Sequence, residues 1–186
     1  MLVNIINLLF CNSVKPVTLC TAGHVKACVR AVAQQRQDFE LVIVGTGIDF
    51  QLDTSYAESL AFPEGMLHFT GEQTPYQVAQ WMQQSDAFIL FSRYETYAVV
   101  LAEAIATGLP IISTSTAGIA SELPAECGIT IDEGNEQQLA RAIHHMLDKR
   151  AEYHTENIKK HSYQFHQQNV GKSLLRIYDS CLHSHI

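Results

Sequence analysis

The chain has 186 residues, of which 47% are hydrophobic and 17% are charged, and its formal net charge is −7 at pH 7. This length favours one domain with a sizeable core, and the composition excludes a wholly disordered chain. The negative charge, without any cluster of lysine and arginine, argues against a nucleic-acid-binding protein, which needs a basic surface. No apolar stretch reaches the ~20 residues that a membrane-spanning helix requires.

The five cysteines are odd in number and form no CxxC pair, so the sequence favours a reduced, cytoplasmic protein over a disulfide or zinc scaffold. We expect residues 1–16 to be an N-terminal segment or linker. Within it, Met1–Phe10 is apolar but has no basic leader region and no cleavage site, which argues against a signal peptide and leaves a local strand, helix or linker. The histidines show no metal-ligand spacing, and we expect no metal site.

Short apolar runs alternate with amphipathic stretches along the rest of the chain, a pattern that predicts strands alternating with helices. In chain order the prediction is strand 17–21, helix 26–36, strand 41–44, strand 66–70, helix 75–84, strand 87–91, helix 97–107, strand 111–113, strand 128–131, helix 136–149 and helix 169–182. Thr74 and Pro75 have the residue types of a helix start, and Gly108 has that of a helix end.

Strands that read as continuous apolar runs are buried on both faces. We therefore predict an α/β fold: a single Rossmann-like, doubly wound parallel sheet of about six strands, spanning residues 17–160. Residues 161–186 are predicted to form a separate C-terminal helix. Ligands bind such sheets beyond the carboxyl ends of the strands, so functional residues are expected directly after each strand.

Glycines and a polar loop follow the predicted strands. Gly45 and Gly47 follow the second strand, Gly71 follows the third, and the fourth runs through Ser92 into a helix. The backbone N–H groups at the start of that helix suit a phosphate. The Gly-Thr-Gly turn lacks the third glycine of a dinucleotide-binding loop, and no acidic residue ends the next strand, so an NAD site is disfavoured.

Two glutamates, Glu95 and Glu103, are separated by seven residues at this loop and helix. They lie roughly 10 Å apart along a helical rise, which allows them to accept hydrogen bonds from sugar hydroxyls on either side of a bound phosphate. By spacing alone, an alternative remains: acidic residues near a first helical turn also stabilise the helix dipole.

The stretch from Ser92 to Ile112 resembles the E-x7-E signature of the retaining GT-B glycosyltransferases of family 4, or group 1. Four other segments are similar to family segments and follow in the same order: LVIVGTG at 41–47, HFTGE at 68–72, GIASE at 118–122 and GITIDEG at 128–134. The resemblance covers roughly residues 17–182 and implies that this chain is one half of a GT-B fold, the donor-binding domain.

The resemblance also implies roles for individual residues. Glu103 would accept hydrogen bonds from the ribose hydroxyls of the donor, and Glu95 would lie beside the transferred sugar. Lys26 is the cationic candidate for the phosphates, with a solvated first-turn lysine as the alternative. The remaining implied donor contacts are Gly45, Gly47 and Gly71 around the nucleobase, and the backbone of Thr96, Tyr97, Ala98 and Val99 at the diphosphate.

The implied reaction moves a hexose or N-acetylhexosamine from a UDP-sugar, or less favourably a GDP-sugar, to a glycan or lipid-linked acceptor. It proceeds with retention and without a required cofactor or metal, and the pathway implied is cell-surface polysaccharide or O-antigen synthesis. We expect the family's N-terminal acceptor domain to be missing, the chain to be inactive alone, and helix 161–186 to cross back to that domain. The expected location is cytoplasmic, with the inner face of the membrane reached through the full-length protein.

Two departures from the family pattern leave other interpretations open. Both glycines of the usual E-G-F-G are replaced, by Thr96 and Ala98, and a positive φ at either residue would be strained. The phosphate loop at residues 21–27 is shortened. These departures favour, as the alternative, a non-catalytic nucleotide-binding or regulatory module. A GT-B relative with other chemistry, such as an epimerase, is disfavoured by the E-x7-E block.

Overall fold

Six parallel strands form one sheet in the order β3-β2-β1-β4-β5-β6. The computed structural model describes residues 6–11, 22–45, 59, 61–93, 95–115 and 118–183, with the backbone alone for 6–11 and 22–27. This order is that of a doubly wound, Rossmann-like sheet, which confirms the predicted fold class. The strands are β1 (Ile6–Cys11), β2 (Phe39–Val44), β3 (Leu67–Gly71), β4 (Ala87–Leu90), β5 (Ile111–Thr114) and β6 (Gly128–Ile131).

Within the described residues, six α-helices connect or follow these strands. The bounds of the second and fourth helices agree with the prediction, whereas the third begins at Val99, two residues later than predicted. Short 3-10 helices occupy Gly118–Glu122, Ala125–Cys127, Arg150–Glu152 and His161–Phe165. The α-helices are α1 (Ala22–Ala33), α2 (Pro75–Gln84), α3 (Val99–Thr107), α4 (Glu136–Lys149), α5 (Thr155–Lys160) and α6 (Gln167–His183).

The strand at the centre of the sheet differs from the prediction. It is β1, which pairs with β2 on one side and β4 on the other, and it lies inside the segment 1–16 that was expected to be an N-terminal segment or linker. Its sequence, INLLFC, is apolar except for Asn7, which suits a strand in the interior of a sheet covered on both faces. The predicted first strand, 17–21, lies outside the described residues.

The core consists of two apolar layers, one on each face of the sheet. Alternate side chains of β2 enter opposite layers: Leu41 and Ile43 pack with α1 and α4, while Val42 and Val44 pack with α2, α3 and α5. The buried residues of α4 lie at helical spacing on one face, at Leu139, Ala142, Ile143, Met146 and Leu147. The sheet is therefore covered on both faces, as a parallel sheet requires.

Side-chain caps fix the starts of the helices on the two faces. Thr74 forms a capping box at α2: its Oγ1 accepts from the Gln77 N–H (3.3 Å), and Gln77 Oε1 accepts from the Thr74 N–H (2.9 Å). At α4, Asn135 Oδ1 accepts from the Gln138 N–H at 3.0 Å. The cap at Thr74 starts α2 three residues after β3, which places this helix beside the carboxyl edge of the sheet.

The last helix, α6, carries an apolar face that is exposed to solvent. Leu174, Ile177, Tyr178 and Leu182 are 48–72% exposed. None of the described helices has the length and apolar character needed to cross a membrane.

A strict local constraint lies where β6 begins beside β5. Gly128 has a φ of +152°, and a Cβ added there would lie 2.0 Å from the backbone oxygen of Ile111. We predict that Gly128→Ala lowers the free energy of unfolding by about 3 kcal/mol. Gly134 is the matched control, since its φ is +67° but no atom lies within 4 Å of an added Cβ. Gly134→Ala should cost about 1 kcal/mol. Equal losses in urea unfolding would contradict this account.

Candidate functional site

A cleft of about 640 Å³ opens at the carboxyl ends of β2 and β3, between helices α2 and α3. Its volume falls in the range of small-molecule sites, about 300–1,000 Å³. Its walls are largely apolar, and Glu72, Gln73 and Glu103 supply polar groups. The described residues that line it include no lysine or arginine. The lining is Val44, Gly45, Glu72, Gln73, Pro75, Val78, Ala79, Met82, Val99, Val100, Glu103, Ala106 and Thr107.

Two of the predicted glycines, Gly45 and Gly71, meet at the base of this cleft. The Gly45 N–H donates to the Gly71 carbonyl at 2.9 Å, in an isolated antiparallel bridge beyond the parallel ladder of β2 and β3. Both residues have positive φ, +106° and +70°, a conformation that glycine adopts without strain. The two strand ends therefore turn towards each other and form the base of the cleft.

Glu103 lies on α3 and faces the cleft. The residue as a whole is exposed, but its carboxyl group lies against the cleft wall, and this partial burial raises its pKa above the ordinary value of 4.5. A carboxylate with reduced hydration is a strong acceptor for a ligand hydroxyl. Within the described residues, no group of three or more His, Cys, Asp or Glu side chains is placed to hold a metal ion.

The start of α3 is strained at Ala98. This buried residue is the N-cap of α3 and has φ 56° and ψ 57°, in the left-handed region. No side chain caps the helix there. The comparison with E-G-F-G predicted that a positive φ at Thr96 or Ala98 would be strained. The structure has the positive φ at Ala98, whose side chain is only a methyl group. A left-handed conformation costs about 1–2 kcal/mol in a residue other than glycine.

The backbone just before Ala98 is held by the 118–122 segment. A Cβ added to Gly118 would lie 2.6 Å from Tyr97 Cα. The backbones of these two segments therefore approach more closely than any side chain at residue 118 would allow. The Ile119 N–H also donates to the Tyr97 carbonyl at 3.4 Å. These contacts fix the loop that leads into α3, although Thr96 and Tyr97 themselves are exposed.

Glu95 does not line the cleft that Glu103 lines. Its Oε1 accepts a hydrogen bond from Ser92 Oγ at 2.9 Å, which turns the carboxylate towards the end of β4. Among the described residues, the lining of this cleft includes Glu103 but not Glu95. The two carboxylates flank the start of α3 instead, one before it and one within it.

The other predicted site residues are placed as follows. Gly45, Val99 and Glu103 line the same cleft, and Gly71 closes its base. The backbone of Lys26 lies in α1, whereas its side chain and Gly47 lie outside the described residues. Sequence reasoning missed the α2 wall of the cleft. The capping signal at Thr74 predicted a helix directly after β3, and this wall could have been inferred from that signal.

A second cleft, of about 470 Å³, lies on the outer side of β3 and is lined by Trp81, Glu40 and His68 among others. Trp81 lies on α2. It is partly buried and packs against the layer formed by α2, α3 and α5. None of the predicted site residues lines this second cleft, so the cleft between α2 and α3 is the candidate site.

A Rossmann-like sheet with an apolar cleft at its carboxyl edge is typical of domains that bind nucleotides. The chain belongs to the family described as "Glycosyl transferases group 1", whose profile matches residues 18–149. A GDP-mannose-dependent alpha-mannosyltransferase of Mycolicibacterium smegmatis is 32% identical to it over 127 residues, which cover 66% of this chain and 32% of that relative. The chain thus spans about a third of the length of that relative.

Solved structures share the fold. The apo form of the lipopolysaccharide outer core galactosyltransferase WaaB superposes with a TM-score of 0.82 at 20% identity, over 95% of this chain and 49% of that one. HepE of Anabaena, in complex with UDP and glucose, superposes with a TM-score of 0.77 at 17% identity, over 95% and 49% of the two chains. At these identities the likeness concerns the fold, which is that of one Rossmann-like half of a GT-B glycosyltransferase.

The strain at Ala98 yields a testable difference between two alanines of the same region. Ala98→Gly relieves the left-handed strain but frees the unfolded chain, so the free energy of unfolding should change by less than about 1 kcal/mol. Ala104→Gly, in the buried interior of α3, should cost about 2 kcal/mol. Thermal and urea unfolding of both variants measure this difference, and an equal loss in both would show that Ala98 carries no strain.

Proposed function

We propose that this chain is the donor-binding domain of a retaining glycosyltransferase and that the cleft between α2 and α3 holds the nucleotide of a nucleotide-sugar. One observation carries the proposal: Gly45, Val99 and Glu103 surround one cleft in a chain of the group 1 family. The apolar walls suit a nucleoside, and the Glu103 carboxylate suits a pair of ribose hydroxyls.

The diphosphate is assigned to the start of α3. Backbone N–H groups in the first turn of a helix favour an anion, and the loop from Thr96 to Val99 is fixed by its contact with the 118–122 segment. Lys26 is the proposed cationic partner. Glu95, held at the end of β4, is proposed to lie beside the transferred sugar.

In this arrangement the domain acts by electrostatic stabilisation. The bond from the anomeric carbon to the diphosphate oxygen breaks, and negative charge grows on the leaving diphosphate. Backbone N–H groups at the start of α3 and the Lys26 ammonium stabilise that charge. Glu103 anchors the ribose so that the diphosphate is correctly positioned. The acceptor oxygen then bonds to the anomeric carbon with retention, as the family resemblance implies, and its proton passes to the leaving diphosphate.

The donor proposed first is a UDP-sugar carrying a hexose or N-acetylhexosamine. The complex of HepE with UDP and glucose supports UDP, whereas the mycobacterial relative is named for GDP-mannose. We therefore keep a GDP-sugar as the competing donor. A binding panel decides between these two donors.

The acceptor is proposed to be a glycan or lipid-linked glycan of the cell surface, bound by a part of the enzyme other than this domain. The fold shared with a lipopolysaccharide galactosyltransferase supports this choice. The exposed apolar face of α6 supports its assignment as the helix that packs against the acceptor-binding part. A cytoplasmic location, reaching the inner face of the membrane through the whole enzyme, belongs to the same proposal.

Binding of UDP, GDP, UDP-glucose and GDP-mannose to the chain tests the proposal. A ligand at 100 times its Kd adds about 2.7 kcal/mol to the unfolding free energy, which raises the Tm of a chain of this size by about 5–10 °C. We expect such a shift with UDP or GDP. No shift at millimolar concentrations of any of the four would refute the donor-binding proposal and favour the non-catalytic module.

The role of Glu103 predicts a specific loss. Glu103→Gln removes the charge that strengthens two hydrogen bonds to ribose, so the Kd for the bound nucleotide should rise about tenfold or more. Glu64→Gln is the matched control, because Glu64 is exposed and does not line the cleft. Isothermal titration calorimetry measures both. Equal affinities of the Glu103→Gln variant and the unmodified chain would contradict the ribose assignment.

The raised pKa of Glu103 predicts a pH dependence of binding. The ionised carboxylate is the form that accepts two hydroxyls, so affinity should fall as pH drops through a value above 4.5. A nucleotide-sugar is the right probe, because its diphosphate is a diester that does not titrate there. Calorimetry at progressively lower pH should show weakening in the unmodified chain and a flatter profile in Glu103→Gln. Parallel profiles in the two proteins would exclude this linkage.

The same shift has the opposite consequence for the free protein. A carboxyl group whose pKa is raised by folding lowers the free energy of unfolding at pH values above that pKa. This destabilisation disappears as the pH falls below 4.5, the ordinary pKa of the group. Weaker binding at low pH therefore cannot be attributed to unfolding through Glu103.

A further inference from the structure

The ends of β4 and β5 are tied together by one buried hydroxyl group. Thr114 Oγ1 accepts a hydrogen bond from the Ser92 N–H at 3.2 Å and donates one to the Ser92 carbonyl at 2.7 Å. Ser92 and Thr114 are each 1% exposed. Buried backbone groups need partners, and here one side chain satisfies both polar backbone groups of Ser92.

The hydroxyl of Ser92 then reaches the loop before α3. Its Oγ donates to Glu95 Oε1 at 2.9 Å, and this uses its single hydrogen. Glu95 itself is only partly buried. The chain of contacts therefore runs from the strand end at Thr114, through the fixed backbone of Ser92, to a carboxylate at the surface.

The strand order explains why this series of contacts is rigid at its first residue, Thr114. β4 and β5 pair in parallel, with Leu90 opposite Ser113. Thr114 therefore lies at the end of this ladder, and Ser92 lies just beyond it. Thr114 is β-branched, which restricts its χ1, and it lies on β5, which is paired with a strand on both sides. Rigid elements hold functional groups more precisely than loops do.

We propose that Ser92 and Thr114 are positioning residues that hold the Glu95 carboxylate in place for the transferred sugar. The inference rests on the proposed function, in which Glu95 lies beside that sugar. It makes the hydroxyl pair a determinant of sugar binding rather than of nucleotide binding, because the contacts end at Glu95 and do not enter the cleft.

The test compares the affinity for a nucleotide with that for its sugar conjugate: UDP with UDP-glucose, and GDP with GDP-mannose. In the unmodified chain one conjugate is expected to bind more tightly than its nucleotide. The ratio of the Kd of the nucleotide to the Kd of its conjugate is the gain in affinity due to the sugar. Ser92→Ala and Thr114→Val should each reduce that gain about two- to tenfold, the worth of one hydrogen bond. The affinity for the nucleotide alone should stay unchanged.

Two controls separate positioning from a general structural effect. Thr114→Ser keeps the hydroxyl and should keep the gain. Ser162→Ala removes a serine hydroxyl that is 8% exposed and bonded to the Lys159 carbonyl, and it should leave all affinities unchanged. If Thr114→Val does not fold, Ser92→Ala and Thr114→Ser still decide the question.

Each other outcome overturns the inference in a distinguishable way. An unchanged gain in Ser92→Ala and Thr114→Val shows that the hydroxyls do not position Glu95. An equal loss of nucleotide and conjugate binding shows a merely structural role. If the unmodified chain binds the nucleotide and its sugar conjugate equally in both pairs, Glu95 makes no contact with the sugar. Failure to bind any nucleotide refutes the proposed function itself.

Discussion

The left-handed backbone at Ala98 sets where α3 begins, and the geometry of the candidate site depends on it. The chain leaves β4, passes the fixed loop at Tyr97 and turns into the helix at this one residue. The close approach of Gly118 to Tyr97 holds the loop from outside. With its start fixed in this way, α3 presents Val99 and Glu103 to the cleft and leaves Glu95 on the strand side of the turn.

The charges of the cleft restrict what it can hold. Glu72 and Glu103 place carboxylates in walls that are otherwise mainly apolar, an environment that repels an anion and favours hydroxyls and a planar apolar group. An anion is favoured instead at the start of α3, where helix N–H groups point outwards. A nucleotide-sugar has this same separation, with ribose and base at one end and a diphosphate in the middle. The site therefore matches the proposed ligand through where it places charge as much as through its shape.

Most of the fold was predictable, because continuous apolar strands and capped helices carry strong local signals. Thr74 and Pro75 set the start of α2, and Gly108 ends α3 as predicted. The central strand was placed wrongly because an apolar run such as that of β1 does not by itself distinguish a strand from a helix or a linker. The tie between Ser92 and Thr114 was beyond sequence reasoning. It joins residues 22 positions apart and exists because β4 and β5 are neighbours in the sheet.

The central claim is that the cleft between α2 and α3 binds the nucleotide, and amide hydrogen exchange with and without saturating UDP-glucose or GDP-mannose tests it most directly. We predict slower exchange in residues 71–79 and in residues 95–103, at the carboxyl edge of the sheet and the start of α3. The loop at residues 132–135, after β6, should exchange unchanged. Protection confined to that loop or to α6, or no protection with either nucleotide-sugar, would contradict the account.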